Sequence, residues 1–315
     1  MAMRKVQLGT TGVEVGCLCF GAMRCGTTND WESSVELLDL FVAAGGDFID
    51  TANCYARWAP GGKGGESEEV LGRWMRERGN RGQLFLATKV GFEYQDVPRG
   101  LTAAIIEQEC ERSLRRMGIE AIDLLYAHRD DLDTPLAETL AAFDRLVRAG
   151  KVRFLGGSNY PAWRLADAEA ACKADGLTSY CCVQQRYTYL RPKPGATFGA
   201  QVSTDGNLLD FCADRGLTLL PYSPLLGGSY GRDDKPLPDQ YAGPDGDARL
   251  GALRAVAAEV GATVHQVILA WMMQHAQPVL PVFSASNPQQ MAEDLRALDV
   301  SLTADQMVRL DEAGA

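Results

Sequence analysis

The sequence lacks the features that mark several large classes of protein. Acidic residues outnumber basic ones by 41 to 31, the net charge is -10, and Lys and Arg form no run. Because nucleic-acid-binding proteins neutralise phosphates with basic patches, nucleic acid is not an expected partner. No apolar stretch reaches the roughly 20 residues that span a bilayer, and residues 1–6 do not resemble a signal peptide. We therefore expect a cytoplasmic protein with no membrane partner.

Sequence motifs for metal binding, for dinucleotide binding and for the phosphate-binding P-loop are also missing. The nine cysteines form no CxxC, and the close pairs Cys17/Cys19 and Cys181/Cys182 suit neither a zinc knuckle nor a redox centre. We expect no metal site, and cysteines that are buried as small apolar residues. Neither GxGxxG nor GxxxxGK[ST] occurs, and the glycine-rich residues 61–65 are typical of a loop before a helix. A Rossmann domain is therefore disfavoured.

The sequence does contain a regular alternation of short apolar runs and amphipathic segments. It begins after residues 6–15, where two short runs around a glycine-containing turn predict a β-hairpin. The eight apolar runs are at residues 17–21, 48–50, 84–90, 122–127, 154–157, 181–184, 217–221 and 279–282. The predicted helices are at residues 33–44, 68–78, 102–117, 136–149, 164–174, 208–214, 248–260, 264–275 and 304–313. This pattern predicts parallel strands that are covered on both faces.

The number of runs favours one of two folds. A doubly wound open sheet and a closed barrel both fit the alternation, but eight strands and uniform composition favour a (β/α)8 TIM barrel. We predict an α/β protein with one domain over residues 1–315, an N-terminal β-hairpin and extra C-terminal helices. The longest irregular segment, residues 223–247, follows the seventh strand and is expected to be a functional loop.

Polar side chains stand at the ends of several predicted strands, where barrel enzymes carry their active sites. Asp50 ends the second strand, with Tyr55 in the loop that follows; Lys89 ends the third strand and His128 the fourth. A buried Lys is costly unless paired, so Asp50 and Lys89 can form an ion pair. An ammonium beside Tyr55 should lower its pKa below the usual value of about 10 and make it a general acid. Each residue alone has a structural explanation, whereas the four together favour a catalytic site.

These residues lie in stretches that resemble the aldo-keto reductase family along essentially the whole chain. The stretches are LGTTGVEV at residues 8–15, FIDTANCY at 48–55, GESE at 65–68, ATKV at 87–90, DLLYAH at 123–128 and GGSN at 156–159. The resemblance implies that Asp50, Tyr55, Lys89 and His128 are the family's catalytic tetrad. It also implies hydride transfer from a nicotinamide to a carbonyl carbon while Tyr55 delivers the proton, or the reverse reaction on an alcohol.

The resemblance further implies a site for the nicotinamide cofactor at the remaining strand ends. Ser158, Asn159 and Gln184 would hold the carboxamide, and Tyr222 would stack on the ring. The other implied cofactor residues are Gly21, Met23, Asp50, Ser223, Leu225, Gly227, Ser284, Ser286, Gln290 and Asp294. Residues 223–227 resemble the family's pyrophosphate loop, in which backbone N–H groups approach an anion.

The chain departs from the family pattern at the adenosine end of this site. Ser284 stands where Gly is usual, Ser286 where Arg or Lys often binds the 2′-phosphate, and Asp294 where Asn is common. A Ser hydroxyl binds phosphate less strongly than Arg does, and a carboxylate repels it. NADP(H) is the first expectation from the family, and NAD(H) is the alternative.

The loops after the strands should form a pocket for a small carbonyl or alcohol substrate, and the main candidates are Trp58, Arg129 and Tyr230. Further candidates are Met23, Arg186, Tyr189 and Arg191, whereas His265 and His275 are expected to be structural.

Three functions remain in competition. The chain could reduce aldehydes or ketones, including sugar-like ones, or it could bind the cofactor as a redox sensor or regulatory subunit without turnover. The intact tetrad favours the enzyme, since a binding module needs neither Tyr55 nor Lys89. A glycosidase requires a pair of carboxylates at strand ends, and only Asp50 is so placed. Cys54 adjoins Tyr55, so its oxidation is a further hypothesis, and the sequence leaves substrate, direction and oligomeric state open.

Overall fold

A barrel of eight parallel strands forms the centre of the computed structural model, which describes residues 3–232, 234–276 and 279–314. The limits predicted for the domain, residues 1 and 315, lie outside the described residues. Two strands form the N-terminal hairpin, β1 (Lys5–Gln7) and β2 (Glu14–Gly16). The barrel strands are β3 (Cys19–Gly21), β4 (Phe48–Asp50), β5 (Phe85–Val90), β6 (Ile122–Ala127), β7 (Val152–Ser158), β8 (Tyr180–Arg186), β9 (Thr218–Tyr222) and β10 (Val282–Phe283).

The order of the barrel strands follows the order of the chain. Each strand from β3 to β8 pairs with the next, and β10 pairs with β3, always in parallel. An isolated parallel bridge between Leu219 and Val279 joins β9 to the residues just before β10. The predicted (β/α)8 TIM barrel is therefore confirmed, and the eight apolar runs are continuous because both faces of these strands are covered.

The helices surround the barrel. They are α1 (Trp31–Ala43), α2 (Glu66–Arg78), α3 (Ala103–Met117), α4 (Leu136–Arg148), α5 (Ala162–Asp175), α6 (Gly206–Arg215), α7 (Pro244–Val260), α8 (Val264–Met273), α9 (Pro288–Leu295) and α10 (Ala304–Glu312). The sequence did not predict α9, whose N-cap Asn287 accepts a hydrogen bond from the Gln290 amide. The segment predicted as irregular, residues 223–247, contains short 3₁₀ turns and the beginning of α7.

The hairpin closes the N-terminal end of the barrel. Leu8 and Val15, on either side of its turn, are fully buried against a cluster that includes the first residues of β4 and β5, Phe48 and Phe85. The Gly9 amide also donates to the hydroxyl of Thr218, the first residue of β9, over 2.7 Å. The C-terminal ends of the strands, which carry the polar residues, are thus left as the open end.

Two glycines in helices predict opposite effects of the same substitution. A Cβ at Gly72 in α2 would lie 2.6 Å from the backbone oxygen of Arg116 in α3, whereas a Cβ at Gly251 in α7 would meet nothing within 4 Å. Gly72→Ala should therefore lower the free energy of unfolding by about 1–3 kcal/mol through overpacking. Gly251→Ala should raise it by up to about 1 kcal/mol through helix propensity. Denaturant unfolding tests both, and a stabilised Gly72→Ala variant would contradict the close packing of α2 on α3.

No single helix in the described ranges is long and apolar enough to cross a membrane. Helices α7 and α8 together are long and apolar enough to cross a membrane, by length and composition alone. The two helices are bent by 94° relative to each other.

Candidate active site

A cavity of about 980 Å³ opens at the C-terminal end of the barrel. Most of the residues predicted for the site line it. They are Gly21, Met23, Asp50, Tyr55, Trp58, His128, Ser158, Asn159, Gln184, Tyr222, Ser223, Leu225, Gly227, Ser284, Ser286, Gln290 and Asp294. Lys89 lies directly behind this wall and reaches it through its hydrogen bonds.

A buried lysine links two of the residues predicted to be catalytic. Lys89 is fully buried, and its ammonium forms an ion pair with the Asp50 carboxylate, which is 2% exposed. The Nζ also donates to the Thr51 carbonyl at 2.7 Å and to the Tyr55 hydroxyl at 3.0 Å. The second oxygen of Asp50 accepts from Nε2 of Gln184 at 2.9 Å. Together these hydrogen bonds hold the Tyr55 hydroxyl and the barrel wall in fixed positions.

The charges of this cluster follow from its burial. Burial lowers the pKa of Lys89, but Asp50 and Tyr55 more than compensate, so this pKa is raised and the ammonium persists. Burial raises the pKa of Tyr55 to about 12, although the charge of Lys89 acts in the opposite direction. The prediction that Lys89 lowers the pKa of Tyr55 overall is therefore wrong, because lost hydration of the phenolate outweighs the attraction. Tyr55 carries its proton at neutral pH.

His128 faces the same space as a neutral imidazole. Burial, reinforced by the charges of Lys89 and Arg57, keeps its pKa well below the usual value. Its ring packs edge-on against Phe92, with centroids 4.6 Å apart, and its Nδ1 lies 3.8 Å from the Cys54 thiol. A neutral imidazole can donate a hydrogen bond without adding charge to the site.

Cys54 lies close to the reacting groups but is poorly suited to oxidation. Its side chain is buried, and burial raises its pKa to about 11. Since the thiolate is the form that reacts with oxidants, the environment disfavours the proposed redox sensitivity of this residue.

A set of hydrogen-bonded polar groups joins the C-terminal ends of β6, β7 and β9. Asn159, held at a left-handed φ of 57°, donates to the His128 carbonyl at 2.9 Å and accepts from the Tyr222 hydroxyl at 2.7 Å. Its Nδ2 also reaches the Ser158 hydroxyl at 3.1 Å. The Asn159 amide is thus already engaged within the protein. Through these hydrogen bonds the Asn159 side chain links the backbone of His128 to the hydroxyl of Tyr222.

The loop after β9 has the backbone conformation of an anion site. Ser223, Leu226 and Gly227 have φ angles of 58°, 47° and 62°, in a region that non-glycine residues seldom adopt. Such left-handed residues turn successive amides towards a common point, where an anion can bind. Lys235 folds back onto this loop, and its ammonium donates to the Gly227 carbonyl at 2.7 Å.

The end of the cavity formed by residues 284–294, called the far end below, is lined by uncharged and acidic side chains. The side-chain Oε1 of Gln290 accepts from the Ser286 backbone amide at 2.8 Å, which closes the turn before α9. Asp294 is 5% exposed, and burial raises its pKa to about 7. Arg232 and Lys235 line the same cavity from the loop after β9; Arg232 pairs with Asp234, and Lys235 donates to the Gly227 carbonyl.

Five of the residues predicted for the substrate pocket do not line this cavity, and these predictions are corrected. The Tyr189 hydroxyl donates to the carbonyls of Arg249 and Leu310, and the Tyr230 hydroxyl accepts from the Leu190 amide, so both rings are buried behind the wall. The other three are arginines whose side chains donate to groups of the protein. Arg129 donates to the Asp130 carbonyl, and Arg191 donates to the Asp311 carbonyl. Arg186 donates to the Tyr241 hydroxyl and to the Gln201 side chain.

Several residues that line the cavity were missed by sequence reasoning. His265, expected to be structural, lines the cavity, whereas His275 packs on Trp271. The other missed residues include Arg24, Arg57, Phe92, Arg232 and Lys235. The sequence offered one signal for Arg24 and Arg57, because Arg24 directly follows Met23 and Arg57 lies two residues after Tyr55. The described residues contain no group of three His, Cys, Asp or Glu side chains that could bind a metal ion.

Comparison with known proteins decides the family. The model of the aldo/keto reductase family matches residues 17–315. The chain belongs to the aldo/keto reductase family. This aldo/keto reductase is 28% identical over 326 residues to an aryl-alcohol dehydrogenase of Pestalotiopsis microspora, covering 96% of this chain and 80% of that one. It is 29% identical over 323 residues to a norsolorinic acid reductase of Emericella nidulans, covering 96% and 79%.

The name of a third relative includes its cofactor. An NADP(+) aryl-alcohol dehydrogenase of Phanerodontia chrysosporium is 28% identical over 336 residues, covering 96% of this chain and 83% of that one. Family membership and these oxidoreductase relatives make this aldo/keto reductase an NAD(P)-dependent oxidoreductase of the carbonyl-reducing type.

Proposed function

We propose that this aldo/keto reductase reduces aromatic aldehydes or ketones to alcohols with NADP(H), and that Tyr55 is the proton donor. The observation that carries the proposal is the hydrogen-bonded series Asp50–Lys89–Tyr55, which ends at the cavity wall. When bound, the reduced nicotinamide supplies the hydride for the carbonyl carbon. The remaining chemistry is the delivery of one proton to the carbonyl oxygen.

The chain's own residues are arranged for that proton transfer. Tyr55 is protonated at neutral pH and lies at the cavity surface, so it can donate to an oxygen bound there. The phenolate that results faces the Lys89 ammonium at 3.0 Å, and Asp50 keeps that ammonium charged. Neutral His128 donates to the same oxygen and fixes its direction. In the reverse reaction the phenolate accepts the proton of an alcohol.

The walls around Tyr55 favour an aromatic substrate. Trp58 is 53% exposed and meets the Tyr55 ring edge-on, with centroids 5.6 Å apart. Phe92 lines the cavity on the His128 side, and Met23 is 40% exposed at its mouth. Flat apolar surfaces of this kind pack well against an aryl ring. Two relatives named as aryl-alcohol dehydrogenases are consistent with this choice.

The cofactor assignment depends on charge at the far end of the cavity. The left-handed loop at residues 223–228 would suit a pyrophosphate, and Ser158 and Gln184, which line the cavity, would hold the carboxamide. Ser286 supplies no cation for a 2′-phosphate, but Arg232 and Lys235 line the same cavity. These two cations, together with the relative named for NADP(+), support NADP(H) over NAD(H).

The cofactor assignment predicts a selective decrease in affinity. Replacing Lys235 and Arg232 by Met should weaken binding of NADPH by about tenfold or more for each charge-assisted hydrogen bond removed, and binding of NADH much less. Calorimetric titration of the two cofactors measures the difference, and Lys193→Met serves as the control because Lys193 is exposed and does not line the cavity. Equal decreases for both cofactors would assign the cations to the pyrophosphate. Tenfold tighter binding of NADH by the unmodified enzyme would overturn NADP(H).

The reaction itself is tested by following the absorbance of NADPH with a panel of aryl aldehydes. We expect aldehyde-dependent oxidation of NADPH. Cofactor binding with no turnover of any carbonyl would instead indicate the redox sensor or regulatory subunit.

A further inference from the structure

We infer that the substrate carries a negatively charged group, such as a carboxylate, on its aromatic ring, and that Arg57 binds this group at the mouth of the cavity. This inference rests on the proposed function, because it specifies which aryl carbonyls the site would select. It is based on the position of Arg57, on its incomplete neutralisation and on the distribution of acidic residues in the cavity.

Arg57 belongs to the loop that carries Tyr55 and lines the cavity with it. Its guanidinium lies over the Phe92 ring, 5.3 Å from the centroid, and Phe92 in turn contacts His128. Burial and the charge of Lys89 lower the pKa of His128, and the charge of Arg57 acts in the same direction, so the field of Arg57 extends to the place where the carbonyl would react. An anion on the substrate ring would therefore be attracted towards the same wall as the carbonyl group.

The protein's own hydrogen bonds leave most of this guanidinium available. Within the described residues Arg57 uses Nη1 alone, for the Glu93 carbonyl and for the Glu93 carboxylate at 3.0 Å. A guanidinium has five N–H donors, so a bidentate interaction with a second anion is open to it. The Glu93 side chain is 55% exposed, and an ion pair in such a position contributes little.

A second cation strengthens the positive field at this edge. Arg129 also lies over the Phe92 ring, 5.5 Å from the centroid, although it does not line the cavity. A backbone hydrogen bond lowers the pKa of the Glu93 carboxylate, and the charges of Arg57 and Arg129 act in the same direction. Phe92 therefore stacks against two guanidinium groups, which concentrate positive charge beside the cavity.

The acidic residues of the cavity lie where they do not oppose such a substrate. Among the described residues that line it, the carboxylates are Asp50, Glu293 and Asp294. Asp50 is paired with Lys89, and the other two belong to the far end, beside Ser286 and Gln290. On the Tyr55 side, the charge that meets the substrate is thus positive.

The inference is tested with two aldehydes of the same shape and different charge, 4-carboxybenzaldehyde and 4-formylbenzamide. We expect kcat/KM to favour the carboxylate by about tenfold, mainly through KM, because the neutral amide cannot form a charge-assisted hydrogen bond with Arg57. The preference should shrink as salt is raised and the Debye length falls from about 30 Å to about 3 Å. The corresponding 3-substituted pair tests whether the anion reaches Arg57 better from the nearer ring position.

Variants of Arg57 separate recognition from a structural role. Arg57→Met should reduce the carboxylate-to-amide ratio to about one, whereas Arg57→Lys should keep part of the preference, since it retains the charge. Arg73→Met is the matched control, because Arg73 is a half-exposed arginine of α2 that stacks on Trp31 away from the cavity; its ratio should equal that of the unmodified enzyme. Calorimetric binding of 4-(hydroxymethyl)benzoate to the enzyme with its cofactor should weaken in Arg57→Met.

The outcomes distinguish this inference from the proposed function. If neither aldehyde is reduced by the unmodified enzyme, the proposed function itself fails. If both are reduced equally well, or if Arg57→Met keeps the full preference, the function stands and the role of Arg57 is overturned. Should Arg57→Met fail to fold, a preference of the unmodified enzyme that does not change with salt overturns the inference.

Discussion

Replacing Tyr55 by Phe is expected to lower kcat for aldehyde reduction by about 10²–10⁴-fold while leaving the affinity for the cofactor nearly unchanged. The substitution removes the hydroxyl that accepts from Lys89 at 3.0 Å and keeps the ring that packs against Trp58 and His128. The decrease in kcat therefore measures proton delivery rather than the shape of the pocket. Stopped-flow measurement of the hydride-transfer step, with a separate titration of NADPH, tests the two parts independently.

A Tyr-to-Phe substitution away from the cavity provides the control for Tyr55→Phe. Tyr187→Phe removes a hydroxyl from a ring that packs on Trp271 and does not line the cavity, so its kcat should stay close to that of the unmodified enzyme. If Tyr55→Phe retained a comparable kcat, Tyr55 could not be the proton donor.

The pKa of Tyr55 adds an expected pH profile. Reduction needs the protonated tyrosine, which is present below its pKa of about 12, and His128 stays neutral because its pKa is lowered. The rate of reduction should thus show no decline from either group between about pH 7 and pH 9. Alcohol oxidation needs the phenolate, so its rate should increase with pH.

Replacing Lys89 by Met should abolish turnover and also destabilise the fold. The Asp50 carboxylate, 2% exposed, would lose the ammonium that compensates its charge and would keep only the hydrogen bond from Gln184. Removal of one partner of a buried ion pair costs about 3–5 kcal/mol of the free energy of unfolding. Denaturant unfolding measures this destabilisation, and kcat reports the missing support for the Tyr55 phenolate.

A double variant separates the two effects. In Lys89→Met with Asp50→Asn neither charge of the pair remains, so much of the stability should return while kcat stays low. Recovery of turnover in the double variant would show that the Lys89 ammonium has no direct part in proton transfer. A Lys89→Met variant as stable as the unmodified protein would contradict the buried, paired state of Asp50.

The barrel could be predicted from the sequence because its strands leave a strong local signal. Strands covered on both faces are continuously apolar, and polar residues at or next to their C-terminal ends mark the open end, which is how Asp50, Lys89 and His128 can be identified. Helix α9 is not predictable in this way because Pro288, Gln289 and Gln290 open it with no apolar periodicity. Such a short helix depends on its cap and on tertiary packing.

The rest of the site depends on how loops run, which periodicity does not encode. Tyr189 and Tyr230 follow strand ends, as Tyr55 does, but their loops turn both rings into the core. Conversely, Lys235 reaches the cavity only because its loop folds back onto Gly227. The direction of the Tyr55 pKa shift is wrong in the sequence-based prediction for a similar reason. The pairing with Lys89 is visible in the sequence, whereas the extent of burial is a property of the assembled barrel.

The hairpin that closes the barrel also bears on how Tyr55 would regain its proton if it is the donor. Leu8 of the hairpin is buried in one cluster with Phe48, Phe85 and Leu124, so apolar side chains seal this end of the barrel. Tyr55 lines the cavity at the other end, so a replacement proton would enter by the path that the substrate uses. In the proposed cycle, one opening would thus serve both the exchange of reactants and the reprotonation of the acid.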